Sequence, residues 1–381
     1  MQVSGRGAVD PFIVMDVVEA ARRAESAGRH IIHMEVGQPS TGLPTQAREA
    51  VATALGAGPL GYTVSLGLPE LRHKIAGLYE KWYGLQIDPS RVVVTSGASG
   101  AFVLAFSALF DNDARVAMSL PGYPSYRQIL KAMGLRAVGI EAAAQNGFQP
   151  RPAEIEPDID GLIVASPSNP TGTTLSRPDL AALIAHCRAH DITFISDEIY
   201  HGLHYDTPAT SALAICDDVV VINSFSKYFS MTGWRVGWMV VPPGLVRTVE
   251  RLAQNMFICA PHVAQVAALA AMDCVDECEA NLAIYAKNRQ IVGAGLKAAG
   301  LPEFAPPDGA FYYYVDVSQL TDDALQLSRD LLEHAGIAAT PGLDFDPHRG
   351  ATFLRFSYAG STDDMHEGMR RLAAFTKGRL G

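Results

Sequence analysis

Lys227 stands in the run Ser224-Phe-Ser226-Lys227, and Arg235 follows eight residues later, so two hydroxyls and two cations fall close together. Clusters of this kind commonly lie on a solvated surface. Here the flanks, residues 219–223 and Gly233-Trp-Arg-Val-Gly-Trp238, are apolar and aromatic, which argues against a solvated face. Such residues can bind an anion through hydroxyls and a guanidinium fork, and can offer a lysine amine as a nucleophile. Thr95-Ser-Gly-Ala-Ser-Gly100 precedes an apolar helical stretch and presents small residues and backbone N–H groups at a helix N-terminus. That turn can cradle a phosphate, and it can equally be an ordinary strand-to-helix turn capped by Ser99. Asp197, in Ser196-Asp197-Glu-Ile-Tyr200, is either a catalytic carboxylate or a turn residue. Two more polar sequences, Leu120-Pro-Gly-Tyr123-Pro124 and Ser166-Pro-Ser-Asn169-Pro-Thr-Gly172, complete a set of five.

Each of the five follows a short, mostly β-branched run. Strands are predicted at 91–95, 114–118, 161–165, 192–196, 219–223 and 236–241, several of them continuously apolar, as expected of strands covered on both faces. Helical spacing between them, at 101–110 and at 178–190 with Pro178 and Asp179 in its first turn, predicts a largely parallel α/β sheet. Ligands of such sheets bind at the carboxyl ends of the strands, where all five polar sequences fall. After about residue 275 the pattern changes to a helix (278–298), a strand (310–315), a helix (322–334), a strand (352–357) and a last helix, an α+β lobe. The first 40 residues hold a helix (11–27) and a short strand (31–35) with no sheet partner nearby in sequence. The expected division is an arm with part of a small domain at 1–40, a large domain at 41–275 and the rest of the small domain at 276–381.

The composition narrows the class of function. Of 381 residues, 48% are hydrophobic and 18% charged, which excludes bulk disorder or coiled coil. A net charge of −10 repels phosphate backbones and anionic lipid, so neither nucleic acid nor membrane is expected as a partner. The start, MQVSGRGAVD, lacks a signal-peptide pattern, and no apolar run approaches the roughly 18–20 residues of a membrane span. Five cysteines without a CxxC pair suit free thiols in a reducing compartment, so a soluble, cytoplasmic setting is expected.

Taken together, the motifs resemble those of the class I/II aminotransferase family, pyridoxal-phosphate enzymes of the aspartate aminotransferase fold (fold type I). The resemblance runs from Val36-Gly37-Gln38-Pro39 to Arg355-Phe-Ser-Tyr-Ala359. It implies a large domain with a mostly parallel sheet between helices, and a smaller α+β domain built from both chain ends. It also implies that Lys227 holds pyridoxal phosphate covalently as a Schiff base and shuttles a proton once released. That double role requires a neutral amine, favoured by burial and nearby cations. By the same resemblance, Asp197 faces the pyridine nitrogen, Tyr200 and Asn169 bind the phenolic oxygen, and Tyr123 stacks on the ring. The phosphate falls to the backbone at Ala98 and Ser99, to the hydroxyls of Ser99, Ser224 and Ser226, and to Arg235. Tyr62 resembles a tyrosine reaching that phosphate from a neighbouring subunit, which implies a homodimer with shared sites. Arg355 matches the clamp for the substrate α-carboxylate, assisted by the backbone at Gly37 and by Asn169.

The implied reaction is ping-pong transfer of an amino group between an L-amino acid and a 2-oxo acid through pyridoxamine phosphate. Two other chemistries stand beside it: C–S β-elimination on the same scaffold, and a non-catalytic sensor domain, disfavoured by the negative charge and the lack of a preceding basic domain. Gln38 in place of a common glutamate, Ser40 after Pro39 and Asp346 in place of a common glycine depart from the family pattern. No GxxxxGK[ST], GxGxxG or GxSxG sequence competes, and the pairs His186/His190 and His201/His204 lack an evident third metal ligand. The residues expected to line the side-chain pocket (Phe12, Ile13, Met15, Gln38, Tyr62) lean apolar and aromatic, with no second arginine for a dicarboxylic substrate.

Overall fold

The computed structural model describes residues 2–379. In chain order it begins with α1 (Ile13–Ser26), β1 (Ile32–His33), α2 (Thr45–Ala57) and α3 (Pro69–Tyr83). The central run is β2 (Val92–Thr95), α4 (Gly97–Leu109), β3 (Arg115–Leu120), α5 (Pro124–Ala132), β4 (Arg136–Glu141), β5 (Gly161–Ala165), α6 (Arg177–Ala189), β6 (Thr193–Asp197), β7 (Val220–Ser224) and β8 (Gly237–Val240). Three helices follow, α7 (Val246–Met256), α8 (His262–Ala271) and the long α9 (Val275–Ala298). The chain closes with β9 (Tyr312–Asp316), α10 (Ala324–Asp330), β10 (Ile337–Ala338), β11 (Thr340–Pro341), β12 (Phe353–Ser357) and α11 (Thr362–Lys377).

Seven strands form one sheet in the order β2-β8-β7-β6-β5-β3-β4. Only β8 runs against its neighbours; β3 to β7 pair in parallel, and β2 and β7 both lie antiparallel to β8. The carboxyl ends of β2, β3, β5, β6 and β7 therefore share one edge. Strands β2, β7 and β8 are buried at every position, because helices cover both faces and leave no residue a polar surface to face. The edge strand β4 is the exception and was not anticipated: only Ile140 is buried in Arg-Ala-Val-Gly-Ile-Glu, so it carries no apolar run. Helices α2, α5, α7 and α8 were likewise not anticipated.

The short strand near the start finds its partner at the far end of the chain, where Ile32 pairs with Ile337 and His33 with Ala338 in parallel. A second sheet, in the order β11-β12-β9, is antiparallel and sets Arg355 opposite Tyr314 on one side and Thr340 on the other. The helix expected at 322–334 is interrupted. It ends as α10 at Asp330, continues as a π-turn over Leu331–Ala335, and stops at Gly336 with φ +65°, where a side chain would be strained. Among the described residues no helix is long and apolar enough to cross a membrane.

Candidate active site

Each strand end delivers its side chain through a local turn. Thr95 ends β2 and passes through Ser96 into α4, whose first turn carries Ala98 and Ser99. Asp197 is the last residue of β6, and Ser224 the last of β7, three residues before Lys227. Arg235 adopts φ +51°, a left-handed conformation rare for a residue with a side chain and characteristic of sites where backbone strain is over-determined. These turns surround a cavity of about 190 Å³. Gly37, Ala98, Ser99, Tyr123, Asn169, Asp197, Tyr200, Ser224, Ser226, Lys227, Arg235 and Arg355 all line it. Tyr62 does not; it is 81% exposed at the surface.

At one end of the cavity Ser226 Oγ receives a hydrogen bond from Ser224 Oγ at 2.9 Å, and Arg235 Nη1 donates to the carbonyl of Thr232 at 3.0 Å. Gly97 has φ +72°, and a Cβ there would stand 2.5 Å from Arg235 Nη2, so the guanidinium lies directly on the helix start. Lys227 Nζ donates to the carbonyl of Gly37 at 2.6 Å. Burial, and then the cations of Arg355 and Arg235, bring its pKa down to about 7, against the pull of Asp197. Asp197 is buried and accepts from the Tyr126 hydroxyl and from the Ile199 amide. Burial pushes it up to about 6, opposed by those two hydrogen bonds. Tyr200 shares a 2.7 Å hydrogen bond with Tyr312.

On the remaining side, Arg355 is buried and its guanidinium lies 4.4 Å above the Tyr312 ring and 4.7 Å from that of Phe345. One Nη donates to Asn169 Oδ1 at 2.8 Å and the other to the carbonyl of Glu35, while Nε has no partner. A buried guanidinium with an orphan N–H next to a cavity is arranged to receive an acceptor from a ligand.

Several lining residues escaped the sequence reading. Tyr126 lies one helical turn beyond Tyr123 on α5, a spacing that signals a shared face. Tyr312 lies within the predicted strand at 310–315, but nothing in the sequence pairs it with Tyr200. Of the expected side-chain pocket, Phe12 and Met15 line the cavity together with Val14, whereas Ile13 and Gln38 do not. His186 and His190 stack on each other with centroids 4.2 Å apart, and His201 is buried between Tyr83 and the carbonyl of Ser166. Asp346 accepts from the amides of His348 and Arg349 and from Arg349 Nε, closing its own loop.

Comparison with known proteins agrees with this geometry. The family model for aminotransferase class I and II matches residues 29–372. Valine–pyruvate aminotransferase of Mycobacterium tuberculosis is 46% identical, with 98% of each chain covered. Among solved structures, a candidate aminotransferase from Silicibacter pomeroyi is 59% identical over all of both chains, with a TM-score of 0.95. The aspartate aminotransferase of Thermus thermophilus with maleate is 30% identical, covers 98% of this chain and 99% of that one, and has a TM-score of 0.91.

The cavity fits the cofactor of that family. Its anion-binding end pairs a helix start with Arg235 in a gap that one Cβ at Gly97 would fill. A depressed lysine amine and a buried carboxylate stand beside it, suited to an aldehyde and a ring nitrogen. The chain belongs to the class I and II aminotransferases and is a pyridoxal-phosphate-dependent transaminase.

Proposed function

We propose that the enzyme takes its amino group from an L-amino acid with an apolar side chain and passes it to a small 2-oxo acid. The observation that carries this reading is an apolar part of the cavity lining. Phe12, Val14, Met15 and Ile129 form it, and among the described residues the cations lining the cavity are Lys227, Arg235 and Arg355 alone. With Arg235 assigned to the phosphate and Arg355 to the α-carboxylate, no cation of the same subunit is left for a second substrate carboxylate. The valine–pyruvate aminotransferase at 46% identity supports the same substrate class.

Bound pyridoxal phosphate supplies an electron sink for the carbanion formed at the substrate Cα. Lys227 Nζ would hold it covalently and, once released, carry the proton to and from Cα as a base whose neutral form is favoured by burial. Asp197, oriented by Tyr126 and the Ile199 amide, would keep the ring nitrogen protonated. Tyr200 and Asn169 would donate to the phenolic oxygen, and Tyr123 would lie on the ring face. Ala98, Ser99, Ser224, Ser226 and Arg235 would hold the phosphate, with Tyr62 reaching it from the other subunit of a homodimer. Arg355, held by Asn169 and the carbonyl of Glu35, would clamp the α-carboxylate through Nε and one Nη, with Gly37 beside it. The split into an arm to residue 40, a large domain to 275 and a small domain beyond is part of this proposal, as is a cytoplasmic setting, which the five unpaired cysteines support.

A half-reaction screen tests the substrate class. Each amino acid is added to loaded enzyme, and the cofactor spectrum is followed to its aminated form. Valine, leucine and alanine are expected to convert it, and aspartate and glutamate to do so at least about a hundredfold less efficiently, the penalty for desolvating an unpaired carboxylate. Faster conversion by aspartate than by valine would overturn the reading.

A further inference from the structure

Helix α1 forms part of the cavity wall, yet it cannot cap itself. Its N-cap residue is Phe12, which offers no side-chain acceptor, so the first-turn amides need a partner from elsewhere. That partner is Asp344, more than three hundred residues away, whose Oδ1 accepts from the Ile13 amide and Oδ2 from the Val14 amide, both at 3.1 Å. Asp344 is buried, and its carboxylate also meets the positive end of the helix dipole. Its loop is fixed in turn: Arg127 on α5 donates to the carbonyls of Asp344 and Phe345 at 3.0 and 3.2 Å, and the Gly122 amide donates to Phe345 at 3.1 Å.

The same loop touches the substrate clamp, because the Phe345 ring lies 4.7 Å from the Arg355 guanidinium. Of the two residues whose amides Asp344 holds, Val14 lines the cavity and Ile13 does not, and the neighbours Phe12 and Met15 line it too. Phe12 packs edge-on to Tyr123 with centroids 6.0 Å apart. One carboxylate therefore links the loop beside the carboxylate clamp to the helix that meets the substrate side chain.

We propose that Asp344 is a positioning residue that sets which amino-acid side chains the enzyme accepts, acting through the first turn of α1. The inference rests on the substrate reading above, since it takes α1 as the side-chain wall. A bulky apolar side chain depends on that wall being in register more than the methyl of alanine does. Losing the cap loosens the wall, lowers the affinity for valine or leucine, and leaves alanine and cofactor binding largely alone.

The test compares three variants of the loaded holoenzyme with the parent. Asp344→Ala removes both acceptors, Asp344→Asn keeps an amide oxygen, and Ile13→Pro deletes one donor from the helix side while leaving Asp344 intact. Proline is tolerated at this first helical position, and Phe12 before it is already extended at φ −89°, ψ 96°. In Asp344→Ala, amide exchange at residues 13–15 is expected to quicken, and kcat/KM for valine to fall about tenfold relative to that for alanine, the loss appearing in KM. Asp344→Asn and Ile13→Pro should fall between. Quicker exchange with a valine-to-alanine ratio within about twofold of the parent would overturn the proposal, as would unchanged exchange. If the parent accepts neither amino acid, the substrate reading fails by itself. The same comparison then runs on the largest and smallest donors the parent does accept, and the exchange measurement is unaffected.

Discussion

Asp197 and Glu198 are consecutive and both buried, and burial is the main cause that pushes them up to about 6 and about 7. A carboxylate raised in the folded state stabilises the fold while it is neutral, below its ordinary range, and that contribution is lost as pH rises through the raised value. In the cofactor-free chain these two residues should therefore weaken the fold between about pH 4 and pH 7. A protonated ring nitrogen against Asp197 reverses the preference at that residue, favouring its ionised form. The stabilisation gained on loading the cofactor should accordingly be larger at pH 8 than at pH 5, by about 1–3 kcal/mol for a shift of this size. His201, held neutral by burial, contributes to both forms and cancels in the difference. Lys227, brought down to about 7 in the cofactor-free chain, acts in the same direction, because the covalent bond to the cofactor needs its neutral amine. Calorimetry of cofactor-free and loaded protein across this range measures the sum, and the share of Asp197 is the part that Asp197→Asn removes. The same pH dependence in Asp197→Asn as in the parent would refute the pairing of Asp197 with the ring nitrogen.

The turn from β2 into α4 depends on Gly97. Its φ of +72° costs a residue with a side chain about 1 kcal/mol or more, and its Cβ would displace Arg235 Nη2 from 2.5 Å. Gly97→Ala is expected to weaken pyridoxal phosphate binding about tenfold in equilibrium dialysis, with far less effect on turnover of the enzyme once loaded. Unchanged affinity would mean that Arg235 does not serve the phosphate. Elements of this kind differ in how openly the sequence declares them. β5 and β7 are apolar runs because helices cover both faces, and Gly161–Ala165 stands where the run predicts it. β4 is concealed because most of it faces solvent, whereas β1 falls within the strand predicted at 31–35 and only its partner, some three hundred residues away, is concealed. The break after α10 is a π-turn that apolar spacing does not reveal.

Across the whole molecule, what the sequence left hidden is pairing. Lys227, Asp197, Asn169 and Arg355 are legible as types in motifs, but Tyr126 on Asp197, Tyr312 on Tyr200 and Asp344 on α1 join residues 71, 112 and 331 positions apart, and no local pattern encodes such contacts. The proposed contact of Tyr62 is with the phosphate site of the other subunit. On either side of Tyr62, His262 on α8 bonds the Gly61 carbonyl and Gln265 Nε2 donates to the Thr63 hydroxyl, while the ring stands 81% exposed. Leu55, Val64, Met256, Phe257 and Ile258 are also exposed, apolar surface that the proposed homodimer could cover. If the homodimer shares its sites, each contains Lys227 of one subunit and Tyr62 of the other. Lys227→Ala and Tyr62→Ala homodimers then each lack one part at both sites. A hybrid of the two restores one complete site, with the lysine of one subunit and the tyrosine of its partner. Random subunit exchange between equal amounts makes half of the dimers hybrid, so activity should rise from the parental floors towards about a quarter of the unmodified enzyme. A mixture that stays at the average of its two parents, while native mass spectrometry confirms exchange, would show that Tyr62 serves its own chain or none.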